Sequence, residues 1–133
     1  MEQKLQMNKE QSHFVIITRN GTEKIKSEDI LYFESEGRKV HVHMKGRVIS
    51  FNGSIEQVRK KLDRRFCCCH GSYEVNLTKV VRLTGYTMEI EGGEILPISQ
   101  RRRAETRYRY QAYLRENFPC NLACWCRWKR PAV

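Results

Sequence analysis

The chain has 133 residues, room for one domain with a single small core. Lys and Arg number 25 against 15 Asp and Glu, a net charge of +10, and from Arg101 onward nine basic residues face two acidic ones, so +7 of the excess sits at that end. The polar start has no signal-peptide core and no apolar run is long enough to span a bilayer, so the expectation is a cytoplasmic protein with a polyanionic partner.

Met1 to Ser12 reads as a flexible polar leader (residues 1–12). The β signals begin directly after it. Phe14 to Thr18 is β-branched and apolar, and Asn20-Gly21 predicts a two-residue hairpin turn. Ile30 to Glu34 forms the next predicted strand, interrupted by Gly37-Arg38. Val40, Val42 and Met44 then alternate with Lys39, His41 and His43, which gives one apolar and one basic face. Lys45-Gly46 turns the chain, and Val48 to Phe51 returns. Ser54 and Gln57 have capping-box spacing, and Ile55, Val58 and Leu62 share one face of the helix that this box predicts. Phe66 to Asn76 is ambiguous between strand and turn. Val80 to Leu83 and Met88 to Ile90 are short predicted strands, and Gly92-Gly93 turns into Ile95 to Ile98, where Pro97 predicts a sheet edge or a strand end. Ser99 is the predicted N-cap of a second helix from Gln100 to about Glu116, with Ala104, Tyr108 and Ala112 along one stripe and Tyr110 and Leu114 alongside. The domain is therefore expected over residues 13–117, followed by an irregular tail, 118–133, of mixed Cys, Trp and basic residues.

Three groups of residues bear on chemistry. Arg101, Arg102 and Arg103 fall in the first turn of the second helix, where each cation opposes the helix dipole by roughly 0.3 to 1 kcal/mol. Stability does not explain that choice, whereas a phosphate or a guanine edge does, because Arg forks onto both. Cys69 and His70 are adjacent, but neighbouring residues on a strand point to opposite faces, so they do not form a nucleophile–base pair; His70 reads as a partly buried structural histidine, and Asn76 as a residue bonding local backbone at a turn. His41 and His43 share a face, Cys67, Cys69 and His70 cluster, and Cys120, Cys124 and Cys126 lie in the tail, but none has paired zinc-ligand spacing. The expectation is two solvent-facing histidines, apolar thiols, no metal, no cofactor and no small-molecule substrate. No phosphate loop and no paired carboxylates are present, so no enzyme is expected.

The string His70-x-Ser72-Tyr73-x-Val75-Asn76 resembles the signature of the LytTR (LytR/AgrA) family of DNA-binding domains. Leu96-Pro97-Ile98-Ser99-Gln100-Arg101 resembles the family's second motif, and Glu28 to Glu34 its early strand; the three occur in the family's order. The resemblance implies a mainly β (α+β) fold of small packed β-sheets with one short helix and a C-terminal helix. It implies a bacterial transcription regulator that binds double-stranded DNA at paired promoter repeats as a homodimer, its loops entering successive major grooves. Contacts are implied from Arg38 and Lys39 after the early strand, from His70 and Gly71 in the signature, and from Gln100 and Arg101, with Arg102 and Arg103 beside them. Two positions depart from the family pattern. Gly71 stands where Arg, Lys or Asn is usual, and Glu74 where an apolar residue is usual. Family members carry an input domain ahead of this one, so the signal is expected from a separate input protein, from a membrane-bound inhibitor, or from an input half beyond this chain. Two alternatives remain open on the sequence. One is a basic interaction module docking a membrane protein or anionic surface; the other is an RNA binder stacking bases on Tyr108, Tyr110 or Tyr113, for which helical spacing favours core packing instead.

Overall fold

A computed structural model describes residues 4–8 and 13–118. The signature-bearing centre of the chain folds into a five-stranded antiparallel sheet. Its strands are β4 (Ile30–Glu36), β5 (Lys39–Met44), β6 (Arg47–Asn52), β7 (Phe66–His70) and β8 (Tyr73–Asn76), in the order β6-β5-β4-β8-β7. A three-stranded sheet, β1 (Lys4–Asn8), β2 (His13–Thr18) and β3 (Gly21–Lys26), precedes it. A second one, β9 (Val80–Leu83), β10 (Thr87–Ile90) and β11 (Ile95–Pro97), follows it in the order β11-β10-β9. The helices are α1 (Ile55–Arg59) and α2 (Arg103–Asn117). This is the mainly β fold of small packed sheets, with a short helix and a C-terminal helix, that the resemblance implies.

The five-stranded sheet is the middle layer, and the sequence shows why. β4 and β7 carry apolar residues at consecutive positions, as a strand buried on both faces requires. Phe33 and Phe66 enter one core with Phe14, Ile16, Val40, Val42, Ile55 and Val58. Tyr32, Cys67 and Cys69 enter the other with Val75, Leu77, Met88, Ile90, Leu96 and Tyr110. β5 alternates strictly and buries only Val40 and Val42. Asn76, fully buried, joins the layers. Its Oδ1 accepts from the backbone N–H and the hydroxyl of Thr78, and its Nδ2 donates to the carbonyls of Ser27 and Ile30. Its bonding is therefore local, as expected, and long-range as well.

Several expectations are corrected. The leader contributes a strand, since β1 pairs antiparallel with β2 from Lys4↔Ile17 to Asn8↔His13. The first hairpin turn is Arg19-Asn20, because Thr18 pairs with Gly21; Gly21, at φ 146°, opens β3 in a conformation that only glycine adopts easily. Phe66 to Asn76 resolves into two paired strands. Ser99 does not cap α2 with its side chain. Its N–H donates to the Cys69 carbonyl at 2.9 Å, its Oγ is enclosed without a partner, and a 3₁₀ turn over Gln100–Arg102 leads into the helix. The buried stripe of α2 runs through Thr106 and Tyr110, with Tyr113 and Leu114 alongside, while Tyr108 is 67% exposed. The Tyr110 hydroxyl donating to the Val80 carbonyl at 3.0 Å and Arg109 donating to the Arg64 and Phe66 carbonyls fix that rotation. The capping box of α1 forms as predicted, with Ser54 and Gln57 bonded in both directions. Pro97 lies on an edge strand, where its missing N–H breaks no ladder.

Candidate functional site

Four turns meet along one rim of the fold, linked through backbone hydrogen bonds. The β4–β5 turn, Gly37-Arg38, is closed by Glu36↔Lys39 pairing, and Gly37 at φ 62° supplies the left-handed residue that such a turn needs. The Arg38 carbonyl accepts from Gly53 N–H at 2.9 Å, which ties in the loop before α1. Ser35 N–H donates to the Ser72 carbonyl at 2.8 Å, which joins the first turn to the β7–β8 turn, Gly71-Ser72. The Ser99–Cys69 bond joins that hairpin to the 3₁₀ turn carrying Gln100, Arg101 and Arg102. Ile98 N–H donates to the Tyr86 carbonyl at 2.8 Å, which adds the β9–β10 turn.

The cations on this rim are not equivalent. Arg38, Lys39 and Arg101 are exposed, and none has an ion pair or side-chain hydrogen bond among the described residues. Gln100 is exposed beside Arg101. Arg102 is half-buried. Arg103 is half-buried too, and its guanidinium lies 4.3 Å from the Tyr86 ring centroid, a cation–π contact inside the domain. The three arginines grouped together on the sequence thus divide into one free, one intermediate and one held inward.

His70 is half-buried; its Nδ1 accepts from Ser72 N–H at 3.1 Å and its ring packs edge-on to Tyr73. In the neutral imidazole the proton then sits on Nε2, which leaves a donor at the outer end of the ring. Gly71 is exposed, does not have positive φ, and has open space where a Cβ would stand.

Sequence reasoning missed Arg59 and Tyr86. Glu74 is 4% exposed, and a buried carboxylate needs a cation. Arg59, from the last turn of α1, supplies it, with Nε 2.5 Å from Oε2 of Glu74. The same guanidinium binds Glu56 through Nη1 at 2.7 Å and donates from Nη2 to the carbonyls of His70 at 3.2 Å and Gly71 at 3.0 Å. Burial lowers the Arg59 pKa, but the Glu74 hydrogen bond and nearby negative groups outweigh it and raise it overall. Glu74 at an apolar position was the available signal, for it demands a basic neighbour. Tyr86 carried no such signal.

The expectation of two solvent-facing histidines is corrected. His41 Nδ1 lies 2.6 Å from Ser50 Oγ and its Nε2 2.8 Å from Glu36, while His43 reaches Glu34 at 2.8 Å and stacks on Tyr32 with centroids 4.2 Å apart. Both are half-buried in this ladder, because the alternation that buries Val40 and Val42 puts His41 opposite Glu34 and His43 opposite Tyr32, on the face that also carries Glu36. Burial raises the pKa of all three central thiols and pushes Cys69 up to about 12. Among the described residues no group of three or more His, Cys, Asp or Glu is placed to hold a metal ion; Cys120, Cys124 and Cys126 lie outside them. Likewise among the described residues, no helix is long and apolar enough to cross a membrane.

Comparisons with known proteins bear on the family and the fold. The family model of the LytTr DNA-binding domain matches residues 20–111. Among solved structures, a LytTr DNA-binding domain from Bacillus cereus superposes with a TM-score of 0.59 at 22% identity, covering 79% of this chain and 94% of that one. No curated protein sequence matches.

Proposed function

Because the chain belongs to the LytTR family of DNA-binding domains, we propose that it is a transcription regulator whose rim of linked turns reads duplex DNA at paired promoter repeats. The observation that carries this reading is the rim itself. Backbone hydrogen bonds between Ser35 and Ser72 and between Ser99 and Cys69 unite the turns bearing Arg38, Lys39, Gly71 and Arg101, and their three cations have no internal partner among the described residues. Free cations on rigid turns are suited to phosphates and guanine edges.

In this reading Arg101 and Gln100 enter one major groove and Arg38 with Lys39 enter the next. His70 and Gly71 lie over the backbone between them, His70 offering its Nε2–H. Arg102 supplements Arg101 at a phosphate, while Arg103 is committed to Tyr86 and supports the turn from behind. Two copies occupy paired repeats, and the domain acts in the cytoplasm, where promoter DNA is found. A separate input protein or membrane-bound inhibitor supplies the signal, or an input domain beyond residues 1–133 does.

Selection from a random pool of duplex DNA tests the proposal, followed by salt titration of the enriched sequence against single-stranded RNA and anionic vesicles. Enrichment of a repeated motif, with affinity falling steeply as salt rises, is the expected result. Tighter binding to the RNA or to the vesicles than to the enriched duplex would overturn it.

A further inference from the structure

Arg59 does more than neutralise Glu74. Its side chain is 21% exposed, and two of its guanidinium nitrogens are spent on the carboxylates of Glu74 and Glu56. Nη2 reaches past them to the two successive carbonyls of the β7–β8 turn, His70 and Gly71. All peptide bonds in the described residues are trans. In a planar trans peptide the N–H points opposite to the C=O. With the His70 carbonyl drawn inward to Arg59, the N–H of Gly71 is turned outward. With the Gly71 carbonyl drawn inward too, the next N–H, that of Ser72, turns away from Arg59 and is taken up by His70 Nδ1. The amide left facing out of the turn belongs to the one residue that lacks a side chain.

From this geometry we infer that Arg59 is a positioning residue for DNA binding, holding the β7–β8 turn so that the Gly71 amide donates to a backbone phosphate. The inference rests on the DNA-binding reading above and deepens it. It accounts together for both departures from the family pattern. Gly71 provides no side chain because the contact is made by its main chain. Glu74 is acidic because the guanidinium that orients the turn has to be anchored from inside, and a buried Arg requires a buried partner. The Arg59–Glu74 pair contributes rigidity to the contact, and rigid donors lose less entropy on binding than mobile ones.

The test uses the whole chain and a duplex enriched from a random pool. Arg59→Gln alone strands the Glu74 carboxylate and can unfold the hairpin, so the informative variant is Arg59→Gln with Glu74→Gln, which leaves a neutral hydrogen-bonding pair in the same space. Affinity is measured beside melting temperature, and the Gly71 amide is followed by NMR hydrogen exchange with and without the duplex. In the unsubstituted chain the Gly71 amide exchanges fast when free and is protected in the complex. In the double variant that protection is lost and affinity falls about tenfold, the scale of one charge-assisted hydrogen bond, with the melting curve still cooperative. A folded double variant with full affinity overturns the inference, as does a Gly71 amide that stays unprotected in the complex of the unsubstituted chain. Arg101→Ala separates the two levels. If it weakens binding while the double variant does not, only the role of Arg59 fails; if neither weakens it, the DNA-facing rim itself is wrong.

Discussion

Arg101→Ala and Arg103→Ala should have opposite signatures, although the two residues are one helical half-turn apart. Arg101 is exposed and without a partner among the described residues, so its truncation removes no internal contact, and stability should change by less than about 0.5 kcal/mol. If it meets a guanine edge or a phosphate, the loss in affinity is about 1 to 3 kcal/mol, or roughly five- to 150-fold. Arg103 is half-buried against Tyr86, and its Nε is enclosed with no hydrogen-bond partner. Truncating it forfeits no hydrogen bond at Nε but does forfeit the ring contact. Tyr86 is 65% exposed, so that contact is worth about 0.5 to 1 kcal/mol. For a domain of this size such a loss lowers Tm by roughly 2 to 8 °C. The assay is thermal melting of each variant beside fluorescence anisotropy on the enriched duplex at several salt concentrations. Arg101→Ala should keep its Tm and lose affinity; Arg103→Ala should lose Tm and keep most of its affinity. Equal behaviour of the two variants in both measurements would refute the division of the arginines drawn from their burial.

Replacing Arg38 and Lys39 together by Ala should weaken the specific complex more than binding to random duplex; equal losses on both would mean that the pair touches only phosphate. Gly71→Arg should melt normally, since this glycine is not at positive φ and a Cβ there meets nothing, and it should steepen the slope of log affinity against log salt by about one phosphate contact. A stable Gly71→Arg variant with an unchanged slope would show that the turn does not face DNA. Tyr110→Phe leaves the Val80 carbonyl without its buried donor and should cost about 1 to 3 kcal/mol in denaturant unfolding, with DNA affinity unchanged where the variant is folded. Cys67 and Cys69, buried and with their pKa raised, should resist alkylation at pH 8 in the folded chain and react once it is unfolded; rapid modification of the native protein would contradict their burial.

What the sequence determined by itself is what depends on near neighbours. Alternation at Val40 and Val42 gave β5 its buried face, Ser54 and Gln57 gave α1 its start, and Gly37 and Gly46 marked two turns, because side-chain period, capping and φ sterics all act within a few residues. The ordered motifs from Glu28 to Arg101 were enough to identify the family, and with it the turns that carry Arg38, Gly71 and Arg101. Tertiary structure decided which groups meet across the chain. Lys4–Asn8 is polar and reads as frayed, but as an added strand beside β2 its backbone gains a hydrogen-bonded partner that no local pattern announces. The stripe of α2 was misread because Tyr108, Tyr110 and Tyr113 look alike in sequence; the Tyr110 hydroxyl at the Val80 carbonyl and Arg109 at the β7 backbone choose the rotation. Glu74 found Arg59 fifteen residues away, and Arg103 found Tyr86 with β10 and β11 between them in the chain. A charged side chain shows its sign in the sequence, but whether that charge is spent inside or left free for DNA depends on distances that exist only once the sheets have packed.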